Sequence, residues 1–170
     1  MTSLLAIDPG VHAQACALYV GGYLDSVEFN LHPDLANLVV VVERPEYQGK
    51  RTEAARVQDL IALAWNGARF GSMVAASSPG GRLVELTPSQ WKGSSPKPVV
   101  HAALWGVLSA AERAILGGAK THAAIVKALE RGAAKRWPPN AHMYPSAWTM
   151  HNILDAAAMG AFYLGRIKKG

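Results

Sequence analysis

The sequence predicts an α/β domain, and three observations carry that expectation. Apolar, β-compatible runs recur five times before residue 87, one long stretch of helical spacing interrupts them, and everything after the fifth run is helical in character. At 170 residues, with 50% hydrophobic and only 17% charged residues, the chain is long enough to bury a substantial core. It is too short to divide comfortably and shows neither a repeat nor a linker, so it reads as a single domain over residues 1–170.

The first run, residues 3–7, stops at Asp8-Pro9-Gly10, which is a strand feeding a tight turn with Asp8 at the strand's end. Residues 13–20 and 23–29 are β-compatible and are separated by Gly21-Gly22, a hairpin signal because both glycines can take positive φ. After a short link at 31–37, the run 38–42 is β-branched at nearly every position, as expected of a strand covered on both faces, and it ends at Glu43. Residues 52–73 place Ala55, Leu60, Leu63, Ala64 and Trp65 at helical spacing, and 83–86 reads as a last short strand. Residues 93–98 read as a flexible basic loop, followed by a helix at 99–108. Ser109 to Glu112 is a capping box that opens a short helix, and a further helix runs over about 121–136 until Trp137-Pro138-Pro139 breaks it. The final helix spans about 148–168, with Arg166, Lys168 and Lys169 suiting its C-terminal end.

Seventeen Lys plus Arg against twelve Asp plus Glu give a net charge of +5 and a pI near 9.5, which favours an anionic partner. Cys16 is the single cysteine, so neither an intramolecular disulfide nor a thiolate metal cluster is available, and a reducing cytoplasm is expected. No apolar stretch reaches membrane-spanning length and no basic n-region opens the chain, so neither a membrane partner nor secretion is expected.

Three acids stand apart because each comes from a different element: Asp8, Glu43 and Asp155. Taken singly, each has a structural explanation. Asp8 can initiate its turn, Glu43 can pair with Arg44 or Lys50, and Asp155 can face solvent. Together those explanations weaken, since Asp155 lies among Ile153, Leu154, Ala156, Ala157, Ala158 and Met159, where a lone acid needs a partner. Converging carboxylates suit Mg²⁺, with Mn²⁺ as a substitute, and two such ions hydrolyse phosphodiesters by activating water and stabilising the leaving oxygen. His151 and Asn152, four and three residues before Asp155, share its helix face, and either could complete the site. A cap-region role without chemistry is the other reading of His151.

In this order the motifs resemble those of the RuvC-type Holliday junction resolvases. Ala6-Ile7-Asp8-Pro9-Gly10 is similar to their first-strand motif, Val42-Glu43-Arg44-Pro45 to their second acidic strand, and His151-Asn152-Ile153-Leu154-Asp155-Ala156 to their C-terminal acidic helix. Leu86-Thr87-Pro88-Ser89-Gln90-Trp91-Lys92 is similar to a Pro-x-x-Trp-Lys signature of phage-type members. The resemblance implies a ribonuclease H-like fold, a mixed five-stranded sheet flanked by helices. It also implies a crossover junction endodeoxyribonuclease of DNA recombination and repair, bacterial or phage-encoded, acting as a homodimer that makes paired symmetric nicks in a four-way junction. Two features depart from the pattern. The position three residues before the last Asp, usually Asp or His, is Asn152, with His151 one residue earlier, so the fourth ligand stays open between them. The family also places a helix between its third and fourth strands, whereas seven residues at 31–37 allow one turn and, extended, reach roughly 23 Å.

Junction binding needs phosphate contacts for affinity. Lys50, Arg51 and Arg56 follow Glu43, while Lys92 and Lys97 flank the loop after the fifth strand, near the expected metal edge. Lys120, Lys127, Arg131, Lys135 and Arg136 could grip a duplex arm or form an ordinary solvated face. Tyr47 stands where the family resemblance puts an aromatic near the crossover, and stacking on an unpaired base would contribute about 1 to 3 kcal/mol. It could equally be a loop anchor. Trp91 and Trp105 are expected in the core.

Three other readings compete. An RNA-processing nuclease like the RuvX (YqgF) relatives, or a ribonuclease H, keeps the acids and changes the substrate. A catalytically inactive junction-binding module is the second. An actin-like or kinase-like nucleotide-binding domain is the third, and the lack of a second Gly-rich phosphate loop argues against it.

Overall fold

The computed structural model describes residues 3–10, 13–46, 54–118, 127 and 147–169, without the side chains of 54–56 and 147–150. Five strands, β1 (Ser3–Asp8), β2 (Ala15–Val20), β3 (Tyr23–Phe29), β4 (Leu38–Glu43) and β5 (Arg82–Leu86), form one sheet in the order β3-β2-β1-β4-β5. The first three strands are antiparallel in sequence, while β4 runs parallel to β1 and β5 parallel to β4. This is the mixed five-stranded sheet flanked by helices that the resemblance implied.

The hairpin between β2 and β3 turns as expected, with Gly21 and Gly22 at φ 60° and 88°. From β3 the chain must pass β2 and β1 and also return along the strand direction, because β3 and β4 point the same way. Three strand spacings and one strand length combine to about 25 Å, within the roughly 27 Å that residues 30–37 can reach when extended. The described link accordingly contains no helix, and Leu31 and Leu35 pack onto the sheet as it passes.

Alternation along the strands sends side chains into two cores. Leu5, Ile7, Cys16, Leu18, Leu38, Val40 and Val42 pack toward α1 (Ala54–Ser77). Gly67 and Gly71, one turn apart, let that helix approach closely: a Cβ would stand 2.6 Å from the Pro9 ring at the first and 2.5 Å from Val42 at the second. On the opposite face Leu4, Ala6, Ala17, Tyr19, Val39 and Val41 meet α3 (Lys97–Val107), α4 (Ala110–Ile115) and α5 (Ala147–Tyr163). The short helix α2 (Pro88–Trp91), capped by Thr87 and Gln90, lies inside the segment that carries the Trp-Lys signature.

Several boundaries differ from the sequence reading. Helix α1 runs on to Ser77, and α3 opens at Lys97 because Pro98 suits a first turn, so Lys97 sits on a helix rather than in a loop. The last helix ends at Tyr163, where Gly165 at φ 72° turns the chain, so Arg166 lies beyond it and pairs with Glu112. The helix expected over 121–136 falls outside the described residues except at Lys127, which is helical and exposed. Among the described residues no helix is long and apolar enough to cross a membrane.

Candidate active site

Strand register brings the first two acids together. Ile7 pairs with Val42, so Asp8 and Glu43 end adjacent parallel strands at the same edge. Asp8 shares the parity of Leu4 and Ala6, and Glu43 that of Val39 and Val41, so both side chains belong to the face covered by α5. That helix lies low on the sheet because Gly160 faces the Tyr19 ring, where a Cβ would stand 2.4 Å from Cε2, and Tyr19 Oη donates to the Ala157 carbonyl. Asp155, just over one turn before Gly160, is thereby carried to the same edge and is only 2% exposed.

The electrostatics of the acids follow from this arrangement. Burial, reinforced by repulsion from Glu43 and Asp155, pushes the Asp8 carboxyl well above its ordinary value, and Lys97 and Lys92 offset this only in part. Burial acts on Asp155 in the same direction, but the hydrogen bond from His101 and the charge of Lys97 outweigh it and hold that carboxyl below its ordinary value. The two oxygens of Asp155 are divided between these partners. His101 Nε2 lies 2.7 Å from Oδ1, and Lys97 Nζ is ion-paired with Oδ2. Both partners come from one face of α3, four residues apart. Glu43 Oε2 accepts from Trp91 Nε1 at 2.8 Å and from Lys92 Nζ at 3.3 Å.

These contacts bear on several expectations. Glu43 pairs with Lys92, while Arg44 reaches Glu85, so Glu43 is not Arg44's partner. Asp155 is buried, which removes its solvent-facing reading. Trp91 is core, as expected, and also donates to Glu43; Trp105 is half-buried beneath the Arg113 guanidinium. Lys92 and Lys97, expected to meet DNA, turn toward the acids. His151 and Asn152 are half-buried on α5, and the His151 ring stacks on His101 at 6.4 Å between centroids. Tyr47, Lys50 and Arg51 lie outside the described residues, as does the side chain of Arg56.

The sequence reading missed His101. Its signal was available, because it is the lone polar residue within an otherwise apolar run, as Asp155 is on its own helix, and the two prove to be partners.

A hard divalent cation suits carboxylate oxygens, and here burial together with the charges of Glu43 and Asp155 leaves Asp8 raised even with two lysines nearby. Among the described residues no three carboxylate, imidazole or thiolate side chains stand at metal-ligating spacing, and the positive charge at the cluster comes from Lys92 and Lys97.

No family model and no curated protein matches the sequence. Among solved structures, the chain is similar to Thermus thermophilus RuvC in complex with a Holliday junction substrate, at 14% identity over 99% of both chains with a TM-score of 0.42. It is likewise similar to a second Thermus thermophilus RuvC structure, at 17% identity over 98% of both chains with a TM-score of 0.42.

Proposed function

We propose that this protein is a Mg²⁺-dependent endodeoxyribonuclease that resolves four-way DNA junctions. The observation that carries the reading is the meeting of Asp8, Glu43 and Asp155 at one sheet edge, close enough for Glu43 and Asp155 to raise the Asp8 carboxyl. Four motifs in the order of the RuvC-type resolvases, and a chain of net charge +5, support it.

In this reading Asp8, Glu43 and Asp155 hold the divalent ions, with His151 or Asn152 completing the set. Bound ions would supply charge for the leaving oxygen and an acidified water. His101 and Trp91 orient Asp155 and Glu43 by holding one oxygen of each, while Lys97 is paired with the other oxygen of Asp155. Tyr47, Lys50 and Arg51, on the segment after β4, contact the DNA near the crossover. Two symmetric nicks on opposed strands need two sites, hence a homodimer. The exposed row Val57, Ile61 and Trp65, spaced by four residues on α1, supports pairing of two copies.

The test is nicking of a labelled synthetic four-way junction with Mg²⁺, beside linear duplex and an RNA–DNA hybrid, by wild type and Asp8→Asn. Paired nicks selective for the junction, absent in the variant, are expected. Cleavage of the hybrid alone would move the substrate to RNA. A second reading, an inactive junction-binding module, is favoured by the lysines seated on Asp155 and Glu43, and predicts tight junction binding with no nick under any divalent ion.

A further inference from the structure

We propose that Lys97 is a resident counter-ion that a divalent cation must displace from the acid cluster, while His101 stays in place as the fixed support of Asp155. The proposal rests on the metal-binding reading given above and concerns how this chain's own residues respond to the ion.

Geometry separates the two α3 residues that share Asp155. His101 is sealed, with its side chain 2% exposed, and it is stacked against the His151 ring. Lys97 is the first residue of α3, preceded by the Gly93 to Pro96 turn, and its side chain is 44% exposed although the carboxylate it meets is 3% exposed. Its ammonium therefore reaches the buried oxygen from the solvent side on a flexible four-carbon stem and can swing back along the same path. A histidine ring held in the core cannot.

Charge makes the two occupants exclusive. Lys97 is paired with Asp155 and also feels the charges of Asp8 and Glu43, so its ammonium offsets the cluster beyond the one carboxylate it touches, alongside Lys92 on Glu43. A divalent ion bound by the same carboxylates would stand against that ammonium in a poorly solvated space, where like charges repel strongly. The acid cluster is then never left bare: Lys97 stabilises it until the ion arrives. Lys92 differs, being held on Glu43 with its ammonium 4.8 Å from the Trp91 ring centroid.

The test titrates Mg²⁺ alone into wild type and Lys97→Met at pH 8, followed by calorimetry, and labels wild-type amines with and without Mg²⁺, read by mass spectrometry. Removal of the competing cation should tighten Mg²⁺ binding about tenfold or more. Labelling of Lys97 should rise with Mg²⁺ while that of exposed Lys168 and Lys169 stays constant. Wild type that binds Mg²⁺ with no change in Lys97 labelling, beside a variant of equal or weaker affinity, overturns the displacement and leaves the metal reading standing. Mg²⁺ binding by neither protein overturns both. If the variant fails to fold, labelling of wild type decides alone.

Discussion

Asp8 is the residue on which the chemistry and the stability of this site oppose one another. Its carboxylate is buried beside Glu43 and Asp155 and is pushed well above its ordinary value, so in the metal-free protein its ionised form is a source of strain. Asp8→Asn keeps the shape and removes the charge. The metal-free variant should therefore melt higher than wild type at pH 8, and a gain of about 1 kcal/mol would read as about 3 °C in a domain of this size. The order should invert when Mg²⁺ is added. If Asp8 is a ligand as proposed, wild type at a hundred times its Kd would gain about 2.7 kcal/mol, whereas the variant, lacking that carboxylate, would gain little. A paired melting experiment with and without Mg²⁺ checks both signs, and a variant less stable than wild type without metal would show that Asp8 is satisfied where it stands.

Among the elements, the strands and the hairpin were legible in the sequence because their signals are local: β-branched runs, Gly21-Gly22, and the Asp-Pro-Gly stop. The convergence of Asp8 and Glu43 was legible only as an expectation, since the parallel register of β1 and β4 is fixed by a non-local pairing. The end of the last helix was misread because Arg166, taken as a cation for the helix dipole, serves a buried partner. Glu112 Oε1 accepts from the Leu24 amide at 2.8 Å, Oε2 from the Ser109 amide at 2.8 Å, and both oxygens meet the Arg166 guanidinium. This one carboxylate ties the β2-β3 hairpin, the start of α4 and the chain after α5. Burial opposes its ionisation, but Arg166 and the two amides win and draw its pKa from an ordinary 4.5 down to about 2. A depressed folded value means the stabilisation is complete above about pH 4.5 and is lost as the pH falls toward 2. Glu112→Gln leaves the half-buried Arg166 guanidinium without its charge partner and should cost about 2 kcal/mol at pH 7, below the cost of breaking a fully buried pair. Denaturation midpoints of the two proteins should converge as the pH is lowered through that window. A constant gap would place the stabilisation in packing rather than in the ion pair.

For the whole molecule, the sheet divides labour between its faces. One face carries α3 and α5 and assembles the acids; the other is covered by α1, which buries Val74 and Ala75 against the strands and leaves Val57, Ile61 and Trp65 in solvent. Sequence spacing marked 52–73 as a helix without distinguishing which apolar residues would meet the sheet, because a helix rich in alanine, with Val57, Ile61, Trp65 and Phe70 among its larger residues, carries apolar positions on more than one side. The structure makes the distinction: Gly67 and Gly71 define the sheet side, and Trp65, 70% exposed, lies away from it. An exposed tryptophan in line with isoleucine and valine is a costly arrangement for a monomer, and burying such a row against its own copy removes it from water at about 25 cal/mol per Å². The pairing would set two acid clusters on one assembly, as symmetric nicking of a four-way junction requires. Light scattering of wild type should thus give twice the mass of one chain, and Trp65→Asp, which places charge in the row without touching the sheet side, should give a single chain at the same concentration. Because each protomer keeps its own Asp8, Glu43 and Asp155, the monomeric variant should still bind Mg²⁺ yet make unpaired nicks. A wild-type monomer that nevertheless makes simultaneous paired nicks would remove the need for the α1 row in assembly.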